Sequence, residues 1–401
     1  MTISISYMGT KKSLAPVVAE VVSASPPGPL LDVFSGLCAV AKSVAPARQT
    51  WTNDLQHFAQ SVAQAHFCSQ SHPPQRIDVV AKLNQHYSKH LSKQEKIAGN
   101  RIAAESKALA DYDSVRLNDI YAEWIMYGPL DGGFEQTGDA TLFRDTFAGA
   151  YFGLLQCIEI DALRHSLDIM LDEHQIDSDQ HRWLILALAV ALNRCASSTG
   201  HFAQPLTAKP ANLPRFAQQR QRSVKDCFLS AIESLEPVGN TDWRSRNIAM
   251  RGEANSALSS FIGNSDGVPS VVYADPPYTS DQYSRYYHLY ETIVLYDYPE
   301  AEGKGRYRTD REASDFCLSS RVSEAFDKLI SNCVEIGADL VLSYPTNGLL
   351  ANSRDVLPQK IKDKYGRDPQ ILEIDHRHST MGGSKGPGKM NVTEIIYRAY
   401  P

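Results

Sequence analysis

The sequence predicts an α/β protein in which one parallel sheet is split by a mainly helical insert. Three observations lead there. Leu30-Leu31-Asp32-Val33 is an apolar run followed by a small-residue turn, Phe34-Ser35-Gly36, and by Ala39, Val40 and Ala41 opening a helix. This is the strand-turn-helix unit of doubly wound sheets. A second apolar run, Val271-Val272-Tyr273-Ala274, stops at Asp275-Pro276-Pro277-Tyr278 and reads as a buried strand ending in a rigid turn. Between them, residues 71–244 are dominated by helical periodicity.

The elements follow in order. Residues 1–70 supply one half of the sheet, with strands at 30–33 and 49–52, the latter closed by Asn53-Asp54. The insert, 71–244, carries a charged, Ala-rich helix over 82–109, an amphipathic one over 145–171 and an apolar one over 182–194. Residues 245–401 return to the sheet with the strand before Asp275, another over 339–343 and late strands over 371–374 and 392–397. At 401 residues, two domains are the expected outcome.

Asp-Pro-Pro-Tyr has a chemistry of its own. Two prolines remove two backbone donors and fix φ, leaving the Asp275 carboxylate and the proline carbonyls as acceptors that cannot relax. Tyr278 can stack on a flat ring. Such a set suits an exocyclic amine, whose lone pair is delocalised into its ring until acceptors draw the N–H bonds out of plane. Positioning of that kind contributes roughly 7–11 kcal/mol to a barrier. An ordinary strand-ending turn also uses Pro and Asp. At the other end of the chain, an acidic residue closing the second strand, Asp54, is placed for ribose hydroxyls.

With these elements in order, the chain resembles the S-adenosylmethionine-dependent DNA N6-adenine methyltransferases of the Dam-like class. Gly9-Thr10-Lys11, Asp32-Val33-Phe34-Ser35-Gly36, Asp54 and Asp275-Pro276-Pro277-Tyr278 match that family's motifs in sequence. The resemblance implies a Rossmann-like S-adenosylmethionine-dependent methyltransferase fold with a helical recognition insert. It implies that Tyr7, Gly9, Lys11, Asp32, Phe34, Ser35, Gly36, Asn53 and Asp54 line the cofactor site, that S-adenosyl-L-methionine is the methyl donor, and that Asp275, Pro276, Pro277 and Tyr278 are the catalytic set. Glu253, before a short helical segment in the returning half, is a further candidate acceptor for the cofactor's adenine. Thr10 and Cys38 depart from the pattern, each standing where the family has glycine.

The implied activity is methyl transfer to N6 of an adenine flipped out of double-stranded DNA, as in restriction-modification. An RNA N6-adenine enzyme, a DNA N4-cytosine enzyme and a catalytically silent DNA-binding module are the alternatives. Any cutting activity would belong to a separate restriction endonuclease, because the chain carries no nuclease motif.

The formal charge of -6 argues against a nucleic-acid partner until its distribution is considered. From Arg182 through Lys225 there is no Asp or Glu, and Lys209, Arg215, Arg220 and Arg222 fall in or beside a stretch rich in Pro, Asn and Gln. These are candidate DNA contacts. A second cationic stretch, 376–389, is glycine-rich and offers Lys385 and Lys389; a loop with no partner is the bland reading. Tyr283, Tyr286, Tyr287 and Tyr290 share a helical face, which is most simply core, while Tyr283, Arg285 and His288 are candidates for contact beside the flipped base.

Seven cysteines without short paired spacings read as reduced thiols. The apolar run 183–192 is too short to span a bilayer and the N-terminus lacks a signal-peptide pattern, so a cytoplasmic enzyme is expected.

Overall fold

The computed structural model describes residue 5 and residues 11–130, 140–264, 267–378 and 390–401, with backbone alone at 375–378 and 390–392. Tyr7, Gly9, Lys385 and Lys389 lie outside the described residues. Among the described residues nine strands run in chain order: β1 (Leu30–Asp32), β2 (Thr50–Asp54), β3 (Ala249–Arg251), β4 (Val271–Ala274), β5 (Ala301–Glu302), β6 (Tyr307–Arg308), β7 (Asp339–Pro345), β8 (Gln370–His378) and β9 (Met390–Ala399). The chain divides into two compact units.

One unit comprises Gly9–Gln70, Pro237–Ser284 and Glu312–Pro401 and holds a seven-stranded sheet in the order β3-β2-β1-β4-β7-β9-β8. Strands β3, β2, β1, β4 and β7 are parallel neighbours, and β9 runs antiparallel between β7 and β8. β1 and β4 are buried along their whole length, which is why β4 reads as an unbroken apolar run and β1 as an apolar pair closed by Asp32 rather than as alternating strands. On one face Val18 and Val22 of the helix Ala15–Ser23 pack on Leu30, Val271 and Val341. On the other, the helix Val322–Ile336 presents Val322, Ala325, Phe326, Leu329, Ile330 and Cys333, an i, i+3, i+4, i+7 stripe, to Leu31, Val272, Leu340 and Leu342. Gly337, at φ 76, ends that helix by donating its N–H to the Cys333 and Val334 carbonyls. The expected α/β, Rossmann-like architecture is what forms.

The other unit is helical and includes Ser71–Glu236 and Arg285–Arg311. Its helix Ser178–Cys195 starts at a reciprocal cap, in which Gln180 N donates to Asp177 at 2.8 Å and Asp177 N donates back to the Gln180 side chain at 3.2 Å. Residues 183–192 of this helix are buried throughout, so the apolar run is a core helix. No helix among the described residues is long and apolar enough to cross a membrane.

Sequence and structure differ in two ways here. The helix expected over 145–171 is two, Leu142–Phe147 and Leu154–Asp172, because Gly149 turns the chain at φ 76 between them. Residues 285–311 join the helical unit rather than the sheet: Tyr286, Tyr287, His288 and Tyr290 are buried there, Phe202 N donates to Tyr286 O at 2.9 Å, and Phe202 packs edge-on to Tyr290 at 4.9 Å.

Candidate active site

The strand order reverses between β1 and β4, with β2 and β3 on one side and β7 on the other. In such sheets ligands bind outside the carboxyl ends of the strands at this point. Asp32 closes β1 and Asp275 follows β4, so the two carboxylates arrive together at the reversal. Burial, and then the nearby Asp275 charge, push the Asp32 carboxyl well above the usual carboxylate range.

The turn after β1 is stitched to the end of β2. Ser35 N donates to Asn53 O at 3.0 Å, and Gly36 N donates to the Asp54 carboxylate at 2.9 Å. Gly36 and Cys38 both have positive φ, 47 and 61, so Cys38 adopts the left-handed backbone that the family pattern assigns to glycine. Asn53 donates its side-chain amide to Val33 O and Gly252 O at 3.2 and 3.0 Å. Glu253 caps the helix Ala254–Ser259 through Oε2, 2.7 Å from Asn255 N. Phe34 meets Phe316 edge-on at 5.1 Å.

Four buried polar atoms in this group have no hydrogen-bond partner among the described residues: Asp32 Oδ1, Ser35 Oγ, Asn53 Oδ1 and Glu253 Oε1. Buried acceptors are rarely left so, and a set at the strand ends suits a ligand rich in hydroxyl and amino donors. Asp32, Phe34, Ser35, Gly36, Asn53, Asp54 and Glu253 thus all belong to the strand ends and turns of the same unit.

Around Asp-Pro-Pro-Tyr, Pro276 is buried, Asp275 keeps 14% side-chain exposure, and Leu349 N fixes Tyr278 O at 2.9 Å. Tyr278 is half-buried against the cluster that includes Leu342 and Tyr344. Burial raises its phenol above the usual tyrosine range. Lys11, expected beside the cofactor, lies with Nζ 3.1 Å from Asp275, 2.7 Å from Glu394 and 5.8 Å from the Tyr278 ring centre. Its burial opposes the charge, but the Asp275 and Glu394 carboxylates outweigh it and hold the ammonium above the usual lysine range. Sequence reasoning missed Glu394. Tyr344 points into the core, accepting from Leu350 N at 3.1 Å, and Ser343 accepts from Tyr273 at 3.3 Å.

The expected nucleic-acid contacts separate into exposed and buried groups. Lys209 and Arg215 are exposed. Arg222 is exposed and donates to Arg194 O at 2.6 Å; Arg285 is exposed and covers the Tyr307 ring at 5.0 Å. Tyr283 is partly buried. Arg220 and His288 are corrections. Arg220 is 4% exposed, donating to Ser197 at 3.0 Å and Ala150 O at 2.6 Å. His288 is wholly buried, its Nε2 3.0 Å from Phe202 O. Neither side chain can reach a phosphate or a base.

A reversing, mostly parallel sheet with its last strand inserted antiparallel, and Asp-Pro-Pro-Tyr after the strand at the reversal, is a Rossmann-like methyltransferase fold. Residues 245–340 match the family described as D12 class N6 adenine-specific DNA methyltransferase. The chain is similar to the type II methyltransferase M.FokI of Planomicrobium okeanokoites, 28% identical over 50% of this chain and 27% of that protein. It is also similar to the modification methylase StsI of Streptococcus sanguinis, 22% identical over 86% of this chain and 44% of that protein. For the type II methyltransferase M.NlaIII of Neisseria lactamica the figures are 26%, 55% and 57%. The matches bear out the resemblance to DNA N6-adenine methyltransferases, while spanning only part of each relative's length.

Proposed function

We propose that this chain is a site-specific DNA methyltransferase that transfers a methyl group from S-adenosyl-L-methionine to N6 of an adenine flipped out of duplex DNA. The observation that carries the reading is the meeting of Asp275, at the end of β4, with Asp32 at the end of β1, where the strand order reverses. The unpartnered atoms of Asp32, Ser35, Asn53 and Glu253 support a cofactor held beside them, with Asp54 and Phe34 as neighbours. Bound there, the sulfonium supplies an electrophilic methyl group for direct displacement.

The chain's own residues deal with the amine. The Asp275 carboxylate and the Pro276 carbonyl each accept one N–H, freeing the lone pair, and Tyr278 stacks on the ring. The amine's proton leaves to solvent or through Asp275, and no covalent enzyme intermediate forms. Stacking repays roughly 1–3 kcal/mol of the cost of extracting the base. The helical unit, with Lys209 and Arg215 exposed, is the DNA-recognition module in this reading. The likeness to a protein named modification methylase supports a place in restriction-modification, and the proposal adds a cytoplasmic site and a separate endonuclease as counterpart.

The test is transfer of labelled methyl from S-adenosylmethionine to duplex DNA and, in parallel, to structured RNA, with the nucleosides resolved by mass spectrometry. N6-methyldeoxyadenosine from the unaltered protein and none from Asp275→Ala supports the reading. Label in RNA or in N4-methylcytosine would move the substrate, and full turnover by Asp275→Ala would overturn the role of Asp275.

A further inference from the structure

Glu394 is a fully buried carboxylate on β9, followed directly by the core residues Ile395, Ile396 and Tyr397. Its register opposite Pro345 sets it at the end of β7, the strand next to β4 and hence to Asp275. Lys11 spans the gap, closer to Glu394 at 2.7 Å than to Asp275 at 3.1 Å. Such a set contributes poorly to stability. Each buried ion forfeits several kcal/mol of hydration, and apolar groups of the same volume often do as well or better.

The reaction gives the arrangement a purpose. Asp275 must stay ionised to accept an N–H from the target amine, which favours a cation nearby. A cation seated squarely on Asp275 would occupy the lone pairs the amine needs, because a charge-assisted bond outcompetes a neutral one by about twofold. Resting on the reaction proposed above, we infer that Glu394 is a positioning residue that tethers the Lys11 ammonium, so that Lys11 neutralises Asp275 without consuming its capacity to accept from the substrate. Lys11 has three donors and can serve both carboxylates at once. Without Glu394, Lys11 collapses onto Asp275. Without Lys11, Asp275 and Glu394 lose the ammonium they share.

The experiment compares the unaltered chain with Glu394→Gln, Glu394→Asp, Lys11→Met and the Lys11→Met/Glu394→Gln pair, using labelled S-adenosylmethionine and unmethylated bacteriophage duplex DNA. Glu394→Gln is expected to lose at least about tenfold in kcat while KM for either substrate stays within about threefold, the signature of an interaction that acts on the chemical step. Glu394→Asp, which keeps the charge, retains more activity than Glu394→Gln. The double variant is no slower than Lys11→Met, since Glu394 acts only through Lys11. Wild-type kcat in Glu394→Gln, a change confined to KM, Glu394→Asp slower than Glu394→Gln, or a double loss equal to the product of the single losses would each overturn the proposal. Should Glu394→Gln fail to fold, Glu394→Asp and the double variant carry the same comparison.

A second readout is independent of turnover. The 15N resonance of Lys11 Nζ should shift in Glu394→Gln while the other lysines stay put. An unshifted Lys11 signal would remove the tether itself, whereas absence of methyladenine from the unaltered protein would count against the proposed reaction and leave the tether standing.

Discussion

The backbone N–H of Gly36 donates to the Asp54 carboxylate at 2.9 Å, and Gln56 N donates to the other oxygen at 3.0 Å. One side chain therefore fixes both the turn after β1 and the exit from β2. Burial raises the Asp54 carboxyl, and these backbone donors work against that rise. Asp54→Ala leaves two amides without their acceptor and should cost about 1–3 kcal/mol of stability. On the proposed function it should also weaken S-adenosylmethionine binding at least about tenfold, because the turn and the proposed ribose acceptor are lost together. Denaturant unfolding and isothermal titration measure the two effects. An unchanged Kd would remove Asp54 from the cofactor site.

Cys38 holds φ 61 and ψ 36 with no solvent exposure. A left-handed backbone costs an ordinary residue about 1–2 kcal/mol, so Cys38→Gly relieves strain while giving up a small buried side chain. The two effects nearly cancel, and we expect stability within about 1 kcal/mol of the unaltered protein. Cys38→Val puts a β-branched residue in the same conformation and should lose about 1–3 kcal/mol. Thermal unfolding of both variants decides it: a strongly destabilised Cys38→Gly would mean that the thiol's packing outweighs the backbone.

The sheet was legible because its central strands are buried on both faces. Short, mostly apolar runs at 30–33 and 271–274, each closed by turn residues, read as interior strands, and the turns that follow them fall at the strand reversal. β3 was not legible. Ala249–Arg251 is a three-residue edge strand, only partly buried, with no apolar run to announce it. Glu394 escaped notice for a related reason: a Glu beside Thr393 in an antiparallel strand has the look of a solvent-facing position, and its burial and its ion pair with Lys11, far away in sequence, are tertiary. The stretch from Arg182 to Lys225 misled in part because a cation's environment is tertiary. Arg182 pairs with Asp179 at 2.6 Å, Lys225 lies over Tyr87 at 4.4 Å, and Arg220 is core.

Arg220 and Arg215 should consequently part ways under mutation. The Arg220 guanidinium sits 4.8 Å from the Tyr121 ring and 4.7 Å from Phe216, with its charge facing the buried Glu105. Arg220→Ala removes the cation facing that carboxyl, leaving it Tyr121 and Leu154 N as donors, and should cost about 3–5 kcal/mol. Arg215→Ala, at the surface, should change stability by less than about 0.5 kcal/mol. If Arg215 meets a phosphate, its loss weakens DNA binding and lowers the salt slope by about 1. Filter binding across a salt series, alongside urea unfolding, separates the two. A stable Arg220→Ala with reduced DNA affinity would overturn its assignment to the core.

His288 supplies a pH dependence whose sign can be worked out. Burial, reinforced by the Arg311 and Arg308 charges, lowers its pKa to about 3, against an ordinary value near 6.5. The neutral ring is the form that fits, so its contribution is fully present above the ordinary value and is lost as pH falls toward the folded one. His181, lowered to about 4, acts in the same sense, and Asp161, raised to about 7, acts in the opposite one. Both are common to the unaltered protein and to His288→Leu, so they cancel in the difference. At about pH 7.5 the variant should be the less stable, because Phe202 O loses its donor. Below about pH 6.5 the gap should close by about 1.4 kcal/mol per pH unit, since only the unaltered chain must carry a proton-binding ring into an apolar site. Urea midpoints measured from about pH 7.5 to about pH 4.5 test this. A gap that stays constant would mean that His288 titrates alike in the folded and unfolded chain.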